Sequence, residues 1–371
     1  MTTHVPEKAF PPGRLLSEEL EQRGWSQADF AQIIGRSPRV VNEIIKAKRA
    51  ITPETALTLA GALGTGAEFW MNMESAYQLS KVRIELAPIT RRARIYERFP
   101  VREMQKRGWI PTTPNLERLE RSVLEFFGIN TIDADLNLAH AAKRTSYEEV
   151  SPLQAAWLSR ARHLCSHQSV DQYRSENLAD LYVKLRCHLR DPRETKHVPE
   201  ILSSAGVRFV VVEALPGSKI DGACLWLTEA QPAIALSLRY DRHDMFWHTL
   251  LHELDHIEHE EGQDSPMLDR DLFVSDQRTK PEEELRANNN AAGRLIPRGD
   301  FDAFVAQANK SYSEVTIAHF ADRMKVHPGI VVGQLQHRDC IPWSSYNFLK
   351  SKVRPFLTEH ALTDGFGLVV K

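Results

Sequence analysis

His252-Glu253-Leu254-Asp255-His256, set inside an apolar-periodic segment from Met245 to Ile257, constrains this chain more than any other feature. A helix turns about 100° per residue, so two histidines four apart nearly eclipse and can bind one zinc ion. Glu253 then points to the side where a metal-bound water can sit. That is the layout of a zinc hydrolase. Phe246, Trp247, Leu250, Leu251, Leu254 and Ile257 form the buried stripe, Asp241 or Asp244 gives a start signal, and Gly262 a stop. Ahead lie three strand-like runs, Arg208 to Glu213, Ala223 to Leu227 and Ala233 to Leu238, separated by Pro216-Gly217, Asp221-Gly222 and Gln231-Pro232. The metal helix is therefore expected to follow a small antiparallel sheet.

A catalytic zinc needs a third protein ligand and one open position that substrate can reach. Glu282, Glu283 and Glu284 offer the ligand, opening a second helical pattern after Pro281 whose periodic face carries Leu285, Asn288, Ala292 and Leu295. Glu284 lies on that face and Glu283 is rotated by about 100°. The alternative is that the acidic triplet only favours a helix N-terminus. An extended peptide substrate could add to the edge of the strand from Ala233 to Leu238. His327 and His337 are candidate oxyanion donors, and His248 and His259 read as structural or solvent-facing.

At the other end of the chain, Gln27 to Lys46 reads as helix-turn-helix. Phe30, Ala31 and Ile34 mark the first helix and Val41, Ile44 and Ile45 the second, with Gly35 at a left-handed turn. The second helix starts at Ser37, takes Pro38 in its first turn, and carries Arg39, Asn42 and Glu43 outward. Residues there face base edges in the major groove, while Arg36, Arg39, Lys46, Lys48 and Arg49 set five positive charges against Glu43. With the helix pair around it, this basic run reads as a double-stranded DNA surface instead of a solvated face. Gln27, opening the first helix, is a candidate phosphate contact.

Two resemblances rest on these residues. Phe246 to His256, Glu284-x-x-Ala287-Asn288, Leu295-Ile296-Pro297 and a closing helical segment Ile330 to His337 resemble the ImmA/IrrE family of zinc metallo-endopeptidases over about 195 to 345. That resemblance implies His252, His256 and Glu284 as zinc ligands and Glu253 as general base. It departs after Ala287-Asn288, where Asn289 and Asn290 replace the usual aromatic and apolar residues, and this leaves the choice between Glu284 and Glu283 open. Pro12-Gly13, Leu16, Glu19, the helix pair, Lys48 to Thr52, Thr55-Ala56-Leu57, Gly64-Thr65 and Phe69-Trp70 resemble HigA-like addiction-module antitoxins of the Xre/Cro type over about 12 to 80. This one implies a homodimer on operator DNA, formed by Thr52 to Leu63 and Ala67 to Lys81, and a toxin partner. Trp70 and Met71 are candidates for that interface or for the domain core.

Global properties fit an intracellular protein of more than one domain. The 371 residues are 42% hydrophobic, enough for real cores. Cys165, Cys187, Cys224 and Cys340 show no C-x-x-C pairing, and there is neither an apolar signal core nor a run of membrane-spanning length. A cytoplasmic, non-membrane location is expected. Net charge is −2 but uneven: residues 241 to 284 hold 4 Lys/Arg against 14 Asp/Glu, so that region repels DNA and attracts cations.

The expected organisation is an all-α helix-turn-helix domain (1–95), a helical connector (96–194), an α+β zincin-like peptidase domain with a small antiparallel sheet (195–345) and a C-terminal tail (346–371). Within the connector, Leu116 to Phe127, Asp135 to Lys143, Leu153 to His167 and Tyr173 to Arg190 have helical periodicity and no specific chemistry. The function this implies is a DNA-binding regulator or antitoxin fused to a zinc-dependent endopeptidase acting on a peptide bond in a regulatory protein. The alternative is an antitoxin-type repressor with a non-catalytic peptidase-like sensor or protein-binding domain. The intact Glu253 favours the first, since a scaffold has no need of a general base.

Overall fold

A computed structural model of the chain describes residues 9–82, 86–134, 136, 143–144, 150–263, 266–270, 281–309 and 311–366. The helix expected from Asp135 to Lys143 lies almost wholly outside the described residues. Two compact units emerge, residues 1–89 and 90–371.

The first unit comprises α1 (Pro12–Arg23), α2 (Gln27–Ile33), α3 (Pro38–Ile45), α4 (Pro53–Leu63) and α5 (Ala67–Lys81). Its caps follow from local chemistry. Ser26 and Asp29 form a reciprocal capping box on α2, and the Ser37 hydroxyl accepts from the Val40 amide at the start of α3. Gly35 takes the left-handed conformation, φ 64°, between the two helices. Gly13 matters differently, because a Cβ there would stand 2.1 Å from the Ile44 carbonyl oxygen, so only glycine lets α1 lie against α3. Leu16, Phe30, Val41, Ile44, Leu59 and Trp70 fill one core. Trp70 is fully buried and donates its indole N–H to the Thr65 hydroxyl at 2.7 Å, which removes it as an interface residue.

α6 (Leu86–Arg98) runs across the division, and the second unit goes on with α7 (Val101–Lys106), α8 (Leu116–Phe127), β1 (Lys143–Arg144), α9 (Pro152–Ser166), α10 (Leu178–Arg186) and α11 (Val198–Ser204). It continues through β2 (Arg208–Val212), β3 (Ile220–Trp226), β4 (Pro232–Leu236), α12 (His243–Glu258), β5 (Met267–Arg270), α13 (Glu282–Leu295), α14 (Arg298–Ala308), α15 (Glu314–Met324), α16 (Pro328–His337), α17 (Arg354–Leu357) and β6 (Leu362–Asp364).

The sheet is larger than the sequence led us to expect, and mixed. Its order is β1-β5-β3-β4-β2-β6. β2 runs parallel to both β4 and β6, and β1 parallel to β5, while β3 is antiparallel to β4 and β5. Helices on both faces explain the departure, since parallel pairing goes with double-sided burial. Successive residues of β2 alternate between two cores: Phe209 and Val211 join α12 and α16, whereas Val210 and Val212 join α7, α8 and α9. Such a strand reads as a continuous apolar run with no polar face to betray its direction.

Burial also redraws the expected segments. Ile95, Phe99 and Val101 belong to the same core as Val210 and Ala223, so the stretch beginning near residue 96 is one layer of the sheet domain and no free connector. The expected tail enters the sheet as β6, where buried Asp364 accepts from the Trp109 indole at 2.8 Å and ion-pairs with Arg160. These partners lie 255 and 204 residues away in sequence, beyond the reach of local periodicity.

Candidate functional site

α12 is buried along nearly its whole length, against β3 and β4 on one side and α13 and α16 on others. Neither expected aspartate caps it. Arg242 precedes the first turn, Asp244 pairs with Arg242 and with Lys350 at 3.4 Å, and Asp241 instead accepts the Val353 and Arg354 amides at 3.2 and 2.7 Å.

His252 and His256 bring their Nε2 atoms to 3.0 Å of each other, both fully buried. From α13, Glu284 reaches 3.2 Å from His252 Nε2 and 3.5 Å from His256 Nε2, and it too is fully buried. Glu283 is half-buried on the neighbouring face and is not in the cluster. A fourth group joins that the sequence did not reveal: Asp269, on β5, lies 3.0 Å from His252 Nε2 with no exposure. One donor atom from each of His252, His256, Asp269 and Glu284 fits within 4.8 Å of all the others.

This donor set fits zinc. Tetrahedral bonds of about 2.0–2.2 Å put ligand atoms roughly 3.3–3.6 Å apart, close to the separations found. The carboxylate oxygens of Asp269 and of Glu284 are buried with no partner beyond the cluster and Glu253, an expensive arrangement that a divalent cation resolves. Burial alone would lower the His252 imidazole, yet Asp269 and Glu284 outweigh it and carry it up to about 10. Burial pushes the Glu253 carboxyl well above its usual range, and the negative charge of Asp269 adds to this.

Glu253 is fully buried beneath β3, and Gly222 makes room for it. A Cβ at Gly222 would stand 2.3 Å from Glu253 Oε1. The Asp221-Gly222 pair, read above as a turn, is therefore the inside of a strand, with glycine required by a close approach.

A second layer holds the ligand side chains. His256 Nδ1 lies 2.6 Å from Glu261, which accepts from Arg286 at 2.6 Å. Arg286 also donates to buried Asp255 at 3.0 Å, as does Asn290 at 2.8 Å. Asn290, where the resemblance led us to expect an apolar residue, thus ties α13 to α12. Burial opposes it, but His256 and Arg286 bring the Glu261 carboxyl down to about 2.

His327 caps α16, its Nδ1 accepting from the Gly329 amide, and so is occupied away from the cluster. His337 instead lines a shallow, largely apolar cleft with Met245, His248, Leu295 and Trp343. His248 sits one turn before His252, their ring centroids 6.4 Å apart. The edge of β4 offers no place for a substrate strand, because β4 is paired on both sides, to β3 and β2.

In the first unit, Arg36, Ser37, Arg39, Lys46, Lys48 and Arg49 are exposed, and Gln27 and Asn42 half-buried. Glu43 receives both Arg39 and Arg49, each at 2.9 Å, and Glu54 receives Arg36. Such solvent-facing pairs contribute little to stability.

A family model described as a helix-turn-helix matches residues 16–70, and one described as an IrrE N-terminal-like domain matches residues 205–335. The chain thus carries a helix-turn-helix domain at one end and an IrrE-like domain at the other. The second match takes in β2 to β5, α12 and α13, hence all four clustered residues.

Virulence-associated protein I of Dichelobacter nodosus is 42% identical over 72 residues, 19% of this chain and 67% of the relative. The uncharacterized HTH-type transcriptional regulator YddM of Escherichia coli is 29% identical over 70 residues, again 19% of this chain and 74% of the relative. Among solved structures, Pseudomonas aeruginosa antitoxin HigA with the higBA promoter is 33% identical, covering 20% of this chain and 82% of that one at a TM-score of 0.20. Among the described residues no helix is long and apolar enough to cross a membrane.

Proposed function

We propose that this chain is an antitoxin-type transcriptional regulator, homodimeric on double-stranded operator DNA, fused to a zinc-dependent endopeptidase that cuts a regulatory protein in the bacterial cytoplasm. The observation that carries the enzymatic half is the buried convergence of His252, His256 and Glu284 with Glu253 beside them. His252, His256 and Glu284 would hold the ion. Zinc bound there supplies Lewis acidity toward a peptide carbonyl and toward water.

The remaining chemistry belongs to the chain. Glu253, its pKa raised by burial and Asp269, is suited to take a proton from the attacking water and hand it to the leaving amine. Gly222 lets β3 press against it and keep bulk water out. His248, one turn before His252, lines the cleft with Met245 and Trp343, which supports an apolar substrate side chain being received there.

For the DNA half, exposed Arg39 and half-buried Asn42 at the start of α3 support base contacts, with Gln27, Arg36, Ser37, Lys46, Lys48 and Arg49 toward phosphate. The helix-turn-helix match and the likeness to the transcriptional regulator YddM support operator binding, and the antitoxin resemblance of residues 12–80 supports a toxin partner. Leu57 and Phe69, 66% and 44% exposed on α4 and α5, support self-association.

The test is cleavage of a diverse peptide library by the zinc-loaded chain against Glu253→Gln. Zinc retained by both, with cleavage confined to the first, is expected. Identical product profiles would remove the peptidase and leave a protein-binding sensor.

A further inference from the structure

We propose that Asp269 is a fourth protein ligand of the metal, so that the ion is closed off by the chain's own side chains until a peptide displaces β5. This rests on the metallopeptidase reading and goes beyond it. Its basis is placement. Asp269 is fully buried, its carboxylate has no hydrogen-bond partner outside the cluster and its neighbour Glu253, and Oδ2 is 3.0 Å from His252 Nε2. That distance matches the 3.0 Å between the two histidine nitrogens and the 3.2 Å from His252 to Glu284. One donor atom from each of the four lies within 4.8 Å of the others, close enough to share one ion, and two imidazoles with two carboxylates balance a divalent charge.

The count matters chemically. Zinc sites with four protein ligands are closed, whereas catalytic ones keep three and leave the fourth position to water or substrate. Asp269 fills that position from the chain itself.

The strand that delivers Asp269 also fills the adjacent peptide-binding edge. β5 pairs antiparallel with β3, Asp269 opposite Gly222 and Met267 opposite Cys224. Since Gly222 touches Glu253, this is the stretch of β3 beside which an extended substrate would have to lie. A peptide that pairs with β3 in place of β5 withdraws Asp269 in the same movement, so that substrate binding and opening of the metal become one event. The substrate class implied is an extended segment able to compete as a β-strand.

Cobalt(II) reports coordination through its visible absorption, independently of turnover. The full-length chain loaded with one cobalt should show an intense four-coordinate spectrum that azide leaves unchanged. Asp269→Ala should retain cobalt, open a position, and shift its spectrum on addition of azide. Asp269→Asn, which keeps the shape of the side chain and guards against misfolding, should bind zinc at least about tenfold more weakly, since even residues behind the ligands cost about 10–100-fold. A wild-type spectrum that responds to azide as the variants do, with unchanged zinc affinity in Asp269→Asn, would overturn the proposal and leave the three-ligand reading standing. If His252→Ala binds cobalt as the wild type does, the metal site itself is wrong and both fall.

Discussion

His256 is held between two carboxylates, its Nδ1 2.6 Å from Glu261 and its Nε2 3.5 Å from Glu284. A ring so gripped has one orientation and one tautomer, with Nδ1 donating its proton to Glu261 and Nε2 presenting its lone pair to the cluster. Glu261→Gln should therefore weaken zinc binding by about 10–100-fold while leaving the fold intact. Competition with a chromophoric chelator measures this, and unchanged affinity would show that Glu261 serves only its pair with Arg286.

Gly222 predicts a separation of metal binding from turnover. Gly222→Ala forces Glu253 aside, because the added Cβ would stand 2.3 Å from Oε1. Zinc content should stay near the wild-type level and peptide cleavage should fall by about 10²–10⁴, the usual share of a general base. Full activity in a folded Gly222→Ala variant would place the working position of Glu253 elsewhere.

For DNA, Asn42→Ala and Arg39→Ala should each cost about 1–3 kcal/mol with altered base preference, and Lys48→Ala should weaken every duplex alike. Glu43 adds a prediction that the basic run alone hides. It pairs with Arg39 and Arg49, so Glu43→Gln should tighten binding and steepen its salt dependence. Fluorescence anisotropy over a salt series decides; equal affinity of wild type and Arg39→Ala for every duplex would remove α3 from the groove.

A pH effect follows from His243, buried at the start of α12 against the Leu189 carbonyl at 3.1 Å. Burial brings its imidazole down to about 4. The unfolded chain, with the ordinary value near 6.5, then takes up the proton first. Stability from this group is complete above the unfolded value and is lost as pH falls toward the folded one, by about 1 kcal/mol per pH unit. Urea unfolding at pH near 7 and near 5 should show a steeper loss for the wild type than for His243→Gln. Parallel losses would mean that His243 titrates normally.

What could be read from the sequence was local. His252 and His256 share a face because helical spacing puts them there, and α2 and α3 follow from Ser26, Ser37 and Gly35, each acting within a few residues. What escaped was set by distant chain. Asp269 reaches His252 only because β5 pairs with β3, and Asp364 meets Trp109 only because β6 joins β2. The antiparallel expectation failed for a related reason: β2 and β4, apolar on both faces, carry no pattern that distinguishes parallel from antiparallel neighbours. Gly222 looked like a turn because glycine required by a neighbouring side chain and glycine required by a turn look alike in sequence.

Metal analysis of purified variants decides whether His252, His256 and Glu284 converge on one ion. With Asp269→Ala in the background, so that no fourth donor can substitute, the otherwise unaltered chain and Glu253→Gln should each carry one zinc per chain, Glu283→Ala should keep it, and His252→Ala, His256→Ala and Glu284→Ala should each lose it. Full zinc occupancy with Glu284→Ala would show that Glu284 does not hold the metal.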